Sequence, residues 1–203
     1  DIRNIHYANT AYAIEQECHA NGYSMTLCNT GNDLEKKAEY LHLLAEQRVC
    51  GIIMIGSVFT DKYIETSILN NLGNIPVVFA NGLINTANIH SVLVDSAYGI
   101  RLCVRHLSQQ KKQHLVFIKD SETYSANEKL RGFEESIADC GLNYDDRSIL
   151  HTSNTLEVGY AAAELLSGRG LPFVDIVCYE DLTALGCMTF LHVIRYCISE
   201  EPA

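Results

Sequence analysis

The feature that most constrains this chain is an alternation of helix-length amphipathic segments with short β-rich runs, and the alternation occurs twice. Such a pattern is the signature of βα units on a parallel sheet, because each helix returns the chain to begin the next strand in the same direction. In the first half a helix over residues 8–21 closes at Gly22, and residues 23–28 read as a strand. Asn29 and Thr30 then lead to a helix carrying Leu34, Ala38, Leu41 and Leu44, and residues 51–55 form a strongly apolar strand. In the second half a helix marked by Leu130, Phe133 and Ile137 closes at Gly141, followed by a weaker strand over 147–150. A Thr/Ser/Asn loop, a helix with Leu156, Ala161 and Leu165, and a strand over 175–178 complete it. A glycine at each helix end supplies the left-handed conformation with which helices stop.

The remaining segments read as a helix over 61–71, strands over 76–79 and 91–94, a helix over 96–109, a strand over 114–118 and a last helix over 182–195. Asn32 with Glu35 and Asn154 with Glu157 have capping-box spacing, and Asp181 is placed to cap the last helix.

Two similar halves imply two similar lobes. The expected fold class is therefore α/β, with two lobes built on parallel, doubly wound sheets: residues 1–95, a crossover helix and connection over 96–113, and residues 114–203. A strand precedes the repeat in the second half, whereas residue 1 falls where its counterpart in the first half has already ended. The first half also runs on into the 76–79 strand, for which the second half reaches no counterpart. The repeat thus implies a sequence incomplete at both ends, the second lobe being truncated.

Charge and residue usage narrow the function. With 25 acidic against 15 basic side chains the formal net charge is −10, which repels a phosphate backbone, so DNA contact would have to come from outside this chain. No apolar run approaches the ~20 residues of a membrane span. The eight cysteines show no C-x-x-C spacing and suggest small core hydrophobes in a reducing cytosol. The eight histidines show no metal-ligand spacing, Gly56-Ser57 is not a nucleophile elbow, and Gly168 and Gly170 make no dinucleotide fingerprint. No cofactor, no metal and no catalytic role are expected.

Several stretches resemble the lac-repressor (LacI/GalR) family of transcription regulators. These are Cys18-His19-Ala20-Asn21-Gly22-Tyr23 with Leu27-Cys28-Asn29-Thr30, and the run from Leu43 through Gln47-Arg48-Val49-Cys50-Gly51 to Ile53. Ile75-Pro76-Val77-Val78, Val94-Asp95, His106-Leu107, Leu130-Arg131-Gly132-Phe133 and Asp181-Leu182-Thr183-Ala184-Leu185-Gly186 follow in the family's order. The resemblance implies a type I periplasmic-binding-protein fold, a small effector held between the lobes, a homodimer, and a helix-turn-helix headpiece outside this chain that contacts DNA. A periplasmic sugar receptor of a transport system would share the fold and the cleft. The Leu27–Thr30 and Gln47–Gly51 motifs look more like the regulators, and the cysteines disfavour export.

The resemblance also nominates effector contacts. His6 and Tyr7 match a loop after the family's first strand, with Ile5 where the family commonly has proline. Lys129 matches a position where many relatives hold the ligand with arginine, and Ser125 lies four residues earlier. Asn154 falls where relatives often place a stacking aromatic, Glu180 where they often have asparagine, and Asn81 where they often have aspartate. The local pattern favours a capping role for Asn154 and leaves Lys129 equally open to a solvated one. Loss of an aromatic π-face at Asn154, together with acid, amide and ammonium groups, favours a small polyhydroxylated effector, a sugar or derivative, over a purine.

Overall fold

The computed structural model describes residues 2–119, 121–145, 147–168 and 175–194. The chain divides into two units, Asp1–Val94 and Asp95–Ala203.

The first unit contains α1 (Ile5–Ala20), α2 (Leu34–Glu46), β1 (Ile52–Ile55), α3 (Lys62–Asn71), β2 (Val77–Ala80) and β3 (Ile89–Val92). Its strands are all parallel in the order β1-β2-β3, with Ile52 opposite Val77 and Val77 opposite Ile89. Ile52, Met54, Val77 and Phe79 point to one face and bury against Leu41 of α2 and Ile64 and Ile68 of α3. The period of two along each strand thus meets the stripes of two helices. Asp33 caps α2 by accepting from Lys36 N at 3.1 Å, and Asp61 caps α3 by accepting from Tyr63 N at 2.7 Å. Asn32, expected to cap α2, stands one residue too early.

Two strand expectations are corrected here. The strand placed at 91–94 forms at Ile89–Val92. Residues 23–28 form no strand. In the second unit the counterpart of that segment pairs with the strand that precedes the repeat, and among the described residues of the first unit no strand precedes α1. Alternating Tyr23, Met25 and Leu27 favour an extended chain, but a strand also needs a ladder partner.

The second unit contains α4 (Ser96–Gln109), β4 (Leu115–Lys119), α5 (Tyr124–Asp139), β5 (Ile149–His151), α6 (Leu156–Gly168), β6 (Asp175–Cys178) and α7 (Asp181–Val193). The order is β5-β4-β6, all parallel. Central β4 is buried along its whole length. Leu115 and Phe117 pack with Ile100 and Val104 of α4 and Phe133 and Ile137 of α5, while Val116 and Ile118 pack with α6 and α7 through Ala162, Leu166, Cys187 and Phe190. A strand covered on both faces reads as a continuous apolar run, which the Leu115–Ile118 stretch is.

Glycines set the helix crossings. A Cβ at Gly132 of α5 would collide with the Ala97 backbone of α4, one at Gly159 of α6 with Thr183, and one at Gly186 of α7 with the Leu156 carbonyl. Two expected caps shift by one residue. Thr155, not Asn154, caps α6 through Val158 N at 3.2 Å, and Asp181 is the first helical residue of α7, with Glu180 at the N-cap making no side-chain cap bond. Arg195, the expected end of the last helix, lies outside the described residues. Of the seven described cysteines, Cys187 is buried, whereas Cys50 and Cys103 are exposed, which corrects their reading as core residues. Cys103 stands beside, not on, the Ala97, Ile100 and Val104 stripe of α4.

Candidate functional site

Open α/β sheets bind ligands at the carboxyl ends of their strands. In the second unit that edge is formed where β4 ends at Lys119, β5 at His151 and β6 at Cys178. Thr123 caps α5 by accepting from Ala126 N at 3.4 Å, which sets Ser125 in the first turn and Lys129 one turn further. Ser125 is buried, and its Oγ lies 2.8 Å from the Tyr179 hydroxyl. Lys129 donates from Nζ to the Tyr179 carbonyl at 2.8 Å, lies 4.1 Å over the Tyr179 ring and stands 3.8 Å from Glu180 Oε1. Ser125 and Lys129 therefore meet on one residue, and Glu180, its neighbour in the chain, faces Lys129. That residue, Tyr179, was not nominated; its signal was an aromatic directly after a strand and next to Glu180.

A second charged group lies on the same edge. Lys119 is only 4% exposed, and its Nζ donates to Glu122 Oε2 at 2.6 Å and Asn127 Oδ1 at 2.8 Å. The Lys119 ammonium holds the Glu122 carboxyl below its ordinary range, and His151 Nδ1 lies 3.7 Å from Glu122 Oε1. Sequence reading ended this strand at Ile118 and so passed over Lys119; a lysine closing an apolar run was the available signal. On the β5–α6 connection, Asn154 Oδ1 and Thr152 Oγ1 are buried without a hydrogen-bond partner. A buried acceptor left unpaired costs about 1–3 kcal/mol, so Asn154 is poised to accept from a donor.

In the first unit His6 and Tyr7 lie in the first turn of α1 rather than in a loop, because Asn4 Oδ1 caps the helix through His6 N at 2.9 Å. His6 is exposed. Tyr7 reaches the carboxyl end of β1, where Gly56 has φ +108° and a Cβ would lie 2.9 Å from the Tyr7 hydroxyl. Glycine alone permits both the backbone angle and the approach. Lys37 of α2 is buried and donates to the Val58 carbonyl at 2.8 Å, with its ammonium 4.9 Å from the centre of the Phe59 ring. It pins the tight turn Ser57–Phe59 that follows β1, and burial pushes its pKa below the ordinary lysine value. Asn81, just past β2, takes φ +64° and donates its N–H to the Val92 carbonyl at 2.8 Å.

These groups supply hydroxyls, amides, carboxylates and ammonium groups, the donors and acceptors that a small polar ligand needs. Among the described residues no group of three His, Cys, Asp or Glu side chains is placed to hold a metal ion.

Residues 4–194 match the family described as periplasmic binding proteins and the sugar binding domain of the LacI family. The chain belongs to this family. An HTH-type transcriptional regulator of Lachnoclostridium phytofermentans is 30% identical to this LacI-type chain over 193 residues, covering 94% of the chain and 58% of the relative. The HTH-type transcriptional repressor PurR of Aliivibrio fischeri is 26% identical over 189 residues, covering 92% of the chain and 56% of the repressor. The chain thus spans little more than half the length of these relatives, which are named as regulators and not as enzymes.

The type I periplasmic-binding-protein fold is seen in the transcription regulator CcpA of Lactococcus lactis, with a TM-score of 0.84 at 22% identity over 98% of this chain and 72% of that one. A LacI family regulator of Lactobacillus casei with bound sucrose gives 0.81 at 18% identity, covering 97% and 72%. In this LacI-type chain no described helix is long and apolar enough to cross a membrane.

Proposed function

We propose that the chain is the effector-sensing part of a LacI-type transcription regulator, and that its effector is a small polyhydroxylated molecule, a sugar or sugar derivative. The observation that carries this reading is the meeting of Ser125 and Lys129 on Tyr179, with Glu180 facing Lys129, at the carboxyl edge of the second sheet. In this reading Lys129 and Glu180 address ligand hydroxyls and Asn154 accepts from one of them, while His6, Tyr7 and Asn81 are further candidate effector contacts. DNA is reached through a headpiece outside these residues, the working form is a homodimer, and the site of action is the cytoplasm. No side chain is assigned a catalytic role, in keeping with relatives named as transcriptional regulators.

Calorimetry against a panel of sugars and nucleobases tests the reading. A sugar should bind, and Lys129→Ala should weaken it by about 1.5–3 kcal/mol through loss of a charge-assisted hydrogen bond. A purine that binds tightly, or a sugar that binds equally well without Lys129, overturns it. Residues 1–203 should show no tight, salt-sensitive DNA binding in a mobility-shift assay.

A further inference from the structure

We propose that the β4–α5 corner of the second unit is an anion-binding subsite, in which a carboxylate or phosphate carried by the effector replaces the Glu122 carboxylate against Lys119. The inference rests on the reading of this edge as the effector site and adds the charge class of the ligand.

One ion pair at this corner is asymmetric. Lys119 is 4% exposed, whereas its partner Glu122 is 73% exposed. The cation is fixed, since its backbone is the last residue of β4, paired to His151, and its Nζ is aimed by Asn127 Oδ1 at 2.8 Å. A buried ammonium needs an anion against it, because taking it out of water unpaired costs several kcal/mol. The anion now in place is different in kind. Glu122 is held by one close contact, at 2.6 Å to Lys119, with His151 3.7 Å away, and its mostly exposed carboxylate can return to water once another anion takes its place against Lys119. A fixed cation beside a removable carboxylate is an exchange site, and an incoming anion meets no net desolvation of Lys119 beyond what Glu122 already imposes.

The surroundings fit the same occupant. Ser121 Oγ and Thr123 Oγ1 lie 3.3 Å apart on the turn between Lys119 and α5, offering hydroxyl donors. Lys129 supplies a second ammonium further along α5, and its own carboxylate partner, Glu180, stands 3.8 Å away rather than at close hydrogen-bond distance. Ammonium groups can hydrogen-bond the hydroxyls of a neutral sugar, but only an acidic one adds the charge pairing that replaces a carboxylate against Lys119.

Titration calorimetry of the full-length protein with glucose, glucuronate, glucose 6-phosphate and inorganic phosphate tests this. One of the two acidic sugars should bind at least about tenfold tighter than glucose, and which of them does so tells carboxylate from phosphate. Glu122→Gln, a change at an exposed side chain, removes the internal competitor and should tighten the acidic ligand by about tenfold. Lys119→Met should erase the difference between acidic sugar and glucose, with a melting curve to confirm folding. Inorganic phosphate whose binding tightens in the Glu122→Gln protein also supports the subsite. Glucose binding as tightly as both acids, or an acidic sugar indifferent to Glu122→Gln, overturns the inference while leaving the effector reading in place. Binding of none of the four overturns the subsite, and the wider sugar panel then decides the effector reading separately.

Discussion

The two units run the same βα plan to different electrostatic ends. In the first, the buried cation Lys37 sits on a helix and spends its hydrogen bond on the Val58 carbonyl, fixing a turn. In the second, Lys119 sits on the strand itself and meets a carboxylate that is mostly in water. The strands explain the difference. β4 is central and covered on both faces, so a lysine at its end is enclosed by the helices on either side, while β1 has Ile53 44% exposed and ladders on one side only among the described residues. A buried charge facing a carbonyl reports architecture; one facing an exposed carboxylate reports exchange.

Core truncations should separate the units most. Phe79 and Phe117 are both fully buried, and replacing either by alanine should cost about 3–5 kcal/mol. Phe117 also stacks at 5.3 Å on Phe133, so Phe117→Ala should cost the more by about 0.5–1.5 kcal/mol in denaturant melts. Equal costs would show that the central strand has no extra support. Next in size, Gly186→Ala forces backbone apart at the α6–α7 crossing and should cost about 3 kcal/mol, against about 1 kcal/mol for Gly73→Ala, where φ is +55° but the space is open.

Hydrogen exchange of residues 1–203 offers a third contrast. Amides of the β4–β5 ladder, such as Phe117 N bonded to the Ser148 carbonyl at 2.8 Å, should be protected, and those of residues 24–28 should exchange freely. Protection across 24–28 would mean that the segment finds a partner. The smallest effect is pH dependence, and the two cations give it different windows. The folded pKa of Glu122 is depressed by Lys119, so its contribution is present above the unfolded carboxyl value and lost as pH falls through the folded one. The folded pKa of Lys37 is depressed by burial, so its penalty is present below that value and relieved as pH rises towards the unfolded one. Melts of Glu122→Gln and Lys37→Met should each flatten one of these two windows.

Helix α4 was legible to the residue because Asp95 caps it through Tyr98 N and the apolar stripe of Ala97, Ile100 and Val104 runs its length. Caps at 32–33, 154–155 and 180–181 were each misplaced by one, since neighbouring polar residues compete and only backbone dihedrals choose between them. Residues 23–28 failed for a different reason: extended propensity is local, but a strand is a property of two segments. The site divides the same way. Ser125, Lys129 and Glu180 could be placed from strand and helix ends together with the family resemblance. Tyr179 had only a local signal, an aromatic directly after a strand, while the partner that gives its hydroxyl a role, Ser125, lies 54 residues away in the chain.

The glycines at the α6–α7 crossing have a mechanical consequence. Where backbone rests on backbone there are no rotamers to repack, so a displacement of one helix is handed to the other without slack. Glu180 is the N-cap of α7, and Asn154 immediately precedes the cap of α6. Under the proposed effector reading, a pull on Glu180 would therefore also shift the shoulder that carries Asn154, as one lever with two handles.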